Sequence, residues 1–268
     1  MSESGYSSDE DCFYREQLRA MRKLYKVKSL LKRAAHGDIF AGVKRATKED
    51  VILKVVKKHK LQTTTDQGRK VPLEAKCHRL AAEADPAGTV SLYNTFEREC
   101  DFVMVMEKPK NSLDMLDFIN EYGQLDEKTT RQICRQLATS SLAHGSIIHG
   151  DLKDENVLFD PMSGATKIID FGNANFVDHP NANDFGTPAF YAPEMKSNAV
   201  DIEKCTVYTI GCIAFTALTG SSPFGSGFDF HRHVLFNTSL LKSERHFLTT
   251  LLCPNPSKRI SLSELVHL

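Results

Sequence analysis

The sequence predicts an α+β fold in two lobes: a small antiparallel β-sheet part with one main helix, followed by a larger, mainly helical part. Three observations predict it. Period-two alternation with β-branched residues dominates from Tyr25 to Glu107. After Pro109 helical patterning takes over, broken only by short strand-like runs. The 268 residues, 41% apolar and 25% charged, supply core enough for one large domain or two closely packed lobes.

Residues 1–22 are expected to form a disordered or extended tail, because MSESGYSSDEDC is too poor in apolar surface to offset ordering entropy. This start has neither the apolar core of a signal peptide nor the arginine-rich character of a transit peptide. Ser7 and Ser8, each with an acid three residues on, suit an acidophilic kinase. YKVKSLL, then DIFAGV after a turn at His36-Gly37, then VILKVV read as three consecutive antiparallel strands. QGRKVP reads as a loop, and Pro72 at a first helical position opens LEAKCHRLAAEA, with Leu73, Cys77, Leu80 and Ala84 on one stripe. Asp85-Pro86-Ala87-Gly88 stops that helix. TVSLYNTFE (89–97) and DFVMVME (101–107) are strand-like, as are VLFD (157–160) and TKIID (166–170). The most apolar segment, VYTIGCIAFTAL (207–218), has about half the length of a membrane span and reads as a buried helix.

Lysine plus arginine equals aspartate plus glutamate, 34 against 34, so no net field favours nucleic acid or an anionic membrane as partner. The seven cysteines are odd in number, scattered and without a CxxC pair, which fits a reducing intracellular compartment, cytoplasmic or nuclear.

Chemistry concentrates in HGDLKDENVLFD (149–160), followed after a short turn by KIIDFG (167–172). Phosphoryl transfer explains these residue types. The Asp151 carboxylate orients a substrate hydroxyl and accepts its proton, and Lys153 offsets charge on the moving phosphoryl. Asn156 and Asp170 supply hard oxygen ligands to magnesium. Either segment alone could be an ordinary Asp/Asn-rich loop; both, in this order, point to one site.

HGDLKDEN, IIDFG, GTPAFYAPE (186–194) and PSKRIS (256–261) resemble the protein kinase superfamily, from about Tyr25 to the C-terminus. MEKPKNSLDMLDFINEYGQL (106–125) and DLKDEN are most similar to the PIM group of serine/threonine kinases. The resemblance implies a two-lobed kinase domain over 23–268, with an N-lobe of about 23–106, a hinge at 107–109 and a C-lobe of 110–268. It implies that Lys54 holds the α- and β-phosphates of ATP and that Glu74 pairs with it, although Glu83 lies on the same helix. Leu31, Gly37, Ile39 and Ile52 are then expected around the nucleotide, with Met106 and Glu107 as gatekeeper and hinge. Pro109 lacks an N–H to donate there. The Leu-Lys pair after Asp151 is the serine/threonine pattern, and Thr187 is expected to support Asp151 and Lys153. Glu194 is expected to pair with Arg259. Asp114, Asp117, Asp154 and Glu155 are implied at the substrate groove, where they would attract a basic peptide; acids near helix starts are also ordinary caps.

The sequence departs from the family pattern in places. KRAAHG (32–37) keeps one glycine of the phosphate-covering loop, which predicts weaker nucleotide binding, and Ile52 is bulkier than the usual alanine. Gly150 replaces the arginine that receives an activation-loop phosphate, and NANFVDHPNANDF (173–185) contains no Ser, Thr or Tyr. The two absences agree on a loop not switched by its own phosphorylation. Thr206 stands where most kinases place an aspartate bracing the catalytic loop. Two readings follow. One is a monomeric serine/threonine kinase using ATP and Mg2+ on protein substrates. The other is a pseudokinase that scaffolds or inhibits a related kinase.

Overall fold

The structure, a computed structural model, describes residues 8–34, 37–178, 186–196, 200–221 and 230–268. It divides into two compact units, one of Met1–Arg79 with Val90–Pro109 and one of Leu80–Thr89 with Lys110–Leu268.

The first unit opens with helix α1 (Ser8–Leu24), where the sequence predicts a tail. The difference has a physical cause. Leu18 and Met21 lie three residues apart on one helical face, and Met21 is buried with Tyr25, Val51, Leu53, Phe96, Val103 and Val105. Farther up the helix, the Tyr14 ring lies 4.6 Å from the Lys58 ammonium. The apolar residues that order this helix lie in its second half, after the polar run that suggests disorder. Residues 1–7, including Ser7, lie outside the described residues.

Strands β1 (Tyr25–Ala34), β2 (Gly37–Lys44) and β3 (Asp50–Lys57) follow as consecutive antiparallel neighbours, as their alternation predicts. Next comes a hairpin, β4 (Thr63–Asp66) and β5 (Arg69–Pro72), where the sequence reading places a loop. Gln67 and Gly68, at φ 48° and 75°, are both left-handed, which is the two-residue turn that matches strand twist. The β-branched Thr63-Thr64-Thr65 supplies one arm. Helix α2 (Leu73–Ala84) begins directly after Pro72, which ends β5 and is not the first helical residue. It buries Leu73 and Cys77 as expected, together with Ala75, His78 and Ala81, whereas Ala84 is exposed. Strands β6 (Leu92–Glu97) and β7 (Asp101–Glu107) complete a sheet ordered β1-β2-β3-β7-β6 among the described residues.

The second unit has β8 (Leu113–Asp114), α3 (Met115–Tyr122), α4 (Glu127–Ala143), β9 (Ile147–Ile148), β10 (Val157–Asp160), β11 (Ala165–Ile168) and β12 (Asn175–Phe176). Helices α5 (Ile202–Thr219), α6 (Phe230–Phe236), α7 (Lys242–Leu251) and α8 (Leu262–His267) follow. Asp126 and Asp201 cap α4 and α5 by accepting backbone N–H groups, and Gly220 ends α5 in the left-handed region. α5 is the buried helix expected from its apolar run, with Val207, Ile210, Cys212, Ile213 and Ala217 at 0% exposure. No described helix is long and apolar enough to cross a membrane. All seven cysteines are free thiols.

Candidate active site

In the first unit, Ile52, Lys54 and Val56 point to one face of β3, and Val51 and Leu53 point into the core on the other. Cross-strand register adds Ile39 opposite Lys54 on β2, and Met104 and Met106 opposite Lys54 and Ile52 on β7. Ala75 of α2 packs against Val56 and Met104, and the next residue back, Glu74, reaches Lys54 with Oε1 at 2.5 Å from Nζ. Both side chains are at most 9% exposed, so the lysine is held away from water against the Glu74 carboxylate. The exposed Glu83 is not that carboxylate. Glu107 donates its N–H to the Ser91 carbonyl, and its carboxylate accepts the Ser91 N–H, so this backbone donor is already used. Leu31 is 52% exposed on β1, and Gly37 begins β2; Ala35 and His36 between the strands lie outside the described residues.

In the second unit the loop after β9 gathers four predicted residues. Thr187 donates its hydroxyl to Asp151 Oδ1 at 2.5 Å, and Lys153 Nζ donates to Thr187 Oγ1 at 3.1 Å while lying 3.4 Å from Asp151 Oδ2. Asn156 is buried, and its Nδ2 donates to the Asp151 carbonyl at 2.7 Å. Burial works to lower the Lys153 pKa, but Glu155 at 2.9 Å and Asp151 outweigh it and hold the ammonium above its usual range. The lysine is therefore a fixed cation beside a carboxylate.

Asp170 follows directly on Ile169, whose N–H donates to the Asn156 carbonyl. Asp170 adopts φ 61°, and its Oδ1 accepts the Gly172 N–H. The donor set fits magnesium. With its amide nitrogen spent on Asp151, Asn156 keeps an oxygen for the cation, and Asp170 adds a carboxylate. A hard ion that keeps several waters and takes phosphate oxygens needs little more from protein. No group of three or more His, Cys, Asp or Glu side chains placed to hold a metal ion occurs among the described residues.

Several contacts were missed in the sequence reading. Phe171, fully buried, meets His149 edge to face at 4.9 Å between ring centroids and lies 5.8 Å from His144. His149 also bonds the Ile169 carbonyl through Nε2 and accepts the Asp151 N–H at Nδ1. These rings clamp the two strand-turns together. The signal was present as His and Phe within the two motifs, but their pairing is a tertiary fact.

The acidic residues differ in burial. Asp154, expected at the substrate groove, is 3% exposed, and its carboxylate accepts the Glu155 N–H. Asp114 caps α3 by accepting the Asp117 N–H. Burial, then the neighbouring Asp117 and Glu155 charges, push its pKa above the usual carboxylate range. Asp117 and Glu155 are exposed.

Gly150 has φ 77°, and a Cβ placed there would meet the Asn173 carbonyl oxygen at 2.2 Å. No arginine fits here; the loop instead joins Gly186 directly, whose N–H donates to the Gly150 carbonyl at 2.8 Å. Gly150→Ala is expected to cost about 2 kcal/mol, from the left-handed backbone and the clash, read as a lower melting temperature. Thr206 turns its hydroxyl back to the Ile202 carbonyl of its own helix. A cavity of 290 Å³ lies there, lined in part by His149, Gly150, Leu152, Phe190, Thr206 and Thr209. Glu194 meets the fully buried Arg259 in a two-pronged pair, Oε1–Nη1 2.5 Å and Oε2–Nη2 3.0 Å, as expected from the sequence.

The first unit thus holds a buried lysine–glutamate pair on a five-stranded antiparallel sheet and helix α2, and the second holds an Asp-Lys-Asn-Thr cluster. The chain belongs to the protein kinase domain family, whose model matches residues 25–268. It is 28% identical to Serine/threonine-protein kinase prk-2 of Caenorhabditis elegans over 260 residues, 92% of this chain and 58% of that protein. It is 27% identical to Serine/threonine-protein kinase pim-2 of Danio rerio over 262 residues, 91% of this chain and 84% of that protein. A third relative, Serine/threonine-protein kinase 1 of African swine fever virus, is 29% identical over 203 residues, covering 70% of this chain and 64% of that protein. The chain thus spans little more than half the length of the nematode relative.

Proposed function

We propose that this domain transfers the γ-phosphate of ATP to serine or threonine hydroxyls of protein substrates. The observation that carries this reading is the Asp151–Lys153–Asn156–Thr187 cluster, because a scaffold has no chemical need for a carboxylate, a fixed cation and an amide so arranged. Asp151 orients the acceptor hydroxyl and takes its proton, and Thr187 holds the carboxylate in place. Lys153 offsets charge on the phosphoryl group, and Lys54, set by Glu74, takes the donor's phosphate oxygens. Asn156 and Asp170 hold Mg2+, which when bound neutralises phosphate charge.

The activation segment needs no phosphate of its own in this reading. Gly186 N–H to Gly150 carbonyl and Thr187 to Asp151 supply the tie that an arginine–phosphate pair would otherwise make. Residues 179–185 lie outside the described residues, and the sequence places no hydroxyl acceptor among residues 173–185. The exposed carboxylates of Asp117 and Glu155, beside Asp114, favour peptides with basic residues near the acceptor.

The test is γ-phosphate transfer from labelled Mg-ATP to matched serine peptides with basic or acidic flanks. Transfer is expected, with kcat/KM at least about tenfold higher for the basic peptide. No transfer, together with no thermal shift at millimolar Mg-ATP, would favour the pseudokinase reading. Preference for acidic flanks would overturn the specificity.

A further inference from the structure

The β4–β5 hairpin stands between β3, which carries Lys54, and α2, which carries Glu74, and its two arms are not idle connections. At its base, Leu73 at the start of α2 donates its N–H to the Gln62 carbonyl at 2.9 Å. One arm from Thr63 to Asp66 rises about 10 Å, and α2 from Leu73 to Arg79 rises about 9 Å, so the hairpin tip comes level with Arg79. There Arg79 grips Asp66 with a fork, Nε to Oδ2 at 2.8 Å and Nη2 to Oδ1 at 2.7 Å. Between base and tip, Lys76 Nζ donates to the Thr65 carbonyl at 3.1 Å. Lys76 and Arg79, three residues apart, share a face of the helix.

Three ties in under two turns exceed what a connector requires. The Asp66–Arg79 pair is only 13% and 23% exposed and two-pronged, which distinguishes it from a loose surface pair. The hydrogen bonds from Arg79 hold the Asp66 carboxyl below the usual carboxylate range, so the pair is ionised near neutrality. Glu74 lies in the first turn of α2, inside the gripped span, so movement of that turn would carry its carboxylate away from Lys54.

We propose that the β4–β5 hairpin is a built-in clamp on α2, with Asp66 and Arg79 as positioning residues that keep Glu74 on Lys54. The inference rests on the proposed role of Lys54 in holding nucleotide phosphates. It makes the paired state of the helix a property of the chain itself, with no phosphate or partner required to set it.

The test uses Asp66→Asn, Arg79→Lys and the charge-exchanged pair Asp66→Arg/Arg79→Asp in the full chain. Hydrogen exchange on the nucleotide-free protein is the first readout. Amides of residues 73–79 are expected to exchange about tenfold faster in Asp66→Asn, with β3 unchanged, and less fast in Arg79→Lys, which keeps charge but not the fork. Steady-state kinetics is the second readout: KM for Mg-ATP is expected to rise about tenfold with kcat within about threefold, and the exchanged pair is expected to restore both readouts. Unchanged exchange in α2 would overturn the clamp. Faster exchange with an unaltered KM for Mg-ATP would overturn its link to Lys54. If the unmutated chain transfers no phosphate, the kinase reading falls, and the exchange data still decide whether the hairpin clamps the helix. Should Asp66→Asn unfold, Arg79→Lys carries the same two measurements.

Discussion

Asp151→Asn is expected to lower the rate of phosphoryl transfer by about 10²- to 10⁴-fold, the usual range for a positioned general acid or base. The substitution keeps shape and one acceptor oxygen but removes the charge and the proton-accepting capacity. In the structure Asp151 Oδ1 accepts the Thr187 hydroxyl and Oδ2 faces Lys153 and Asn156, so three donors converge on this carboxylate. An asparagine turns one of those contacts donor against donor. Lys153 keeps Glu155 at 2.9 Å, which limits the structural damage and predicts a melting temperature close to that of the parent. Transfer to a serine peptide, measured beside a thermal melt, checks both halves. Full activity in Asp151→Asn would remove the residue from the chemistry.

Arg259→Met is expected to produce the largest loss of stability, about 3–5 kcal/mol, or a fall of about 10 °C in melting temperature. Arg259 is fully buried, and every donor set is used: Nη1 and Nη2 on Glu194, Nη1 also on the Lys204 carbonyl, and Nε on the Cys253 carbonyl. Its guanidinium carbon lies 4.9 Å from the centre of the Tyr208 ring. Removing it strands the Glu194 carboxylate, which is 11% exposed. Burial alone would raise the Glu194 pKa, but the hydrogen bonds and charge of Arg259 prevail and hold it below the usual range. A folded pKa below the unfolded one contributes stability that is fully present above the unfolded value and is lost as pH falls through the folded value. In Arg259→Met burial no longer has the arginine's hydrogen bonds and charge against it, so Glu194 takes up its proton more readily on acidification than in the parent. The stability gap between parent and variant should therefore narrow from pH 7 toward pH 4, as thermal melts at the two values will report. A gap that widens on acidification would contradict this assignment.

The chemistry of the site was legible because it is local. Asp151, Lys153 and Asn156 lie within six residues, and Asp170 follows after one short strand pair, so spacing alone brings them near one another. The order of β1, β2 and β3 was legible for the same reason: alternation over consecutive segments specifies antiparallel neighbours. Pairing across the chain was less so. Glu74 and Glu83 both sit on α2, and only its packing through Ala75 onto Val56 and Met104 turns the first toward Lys54.

By itself the sequence determined the fold class, through its patterning, and the family, through the resemblance of its motifs, since both reside in short-range order along the chain. Only the tertiary structure decided that Ser8–Leu24 is a helix and that Thr63–Pro72 is a hairpin. It also decided that Asp154 is buried and that a side chain on Gly150 would run into the Asn173 carbonyl. Each of these depends on a partner distant in the chain. Met21 is ordered by Phe96 and Val103, the hairpin by Arg79, and Gly150 by the Asn173 carbonyl. A local pattern states what a residue can do, and burial against remote neighbours selects which of those possibilities the folded chain uses.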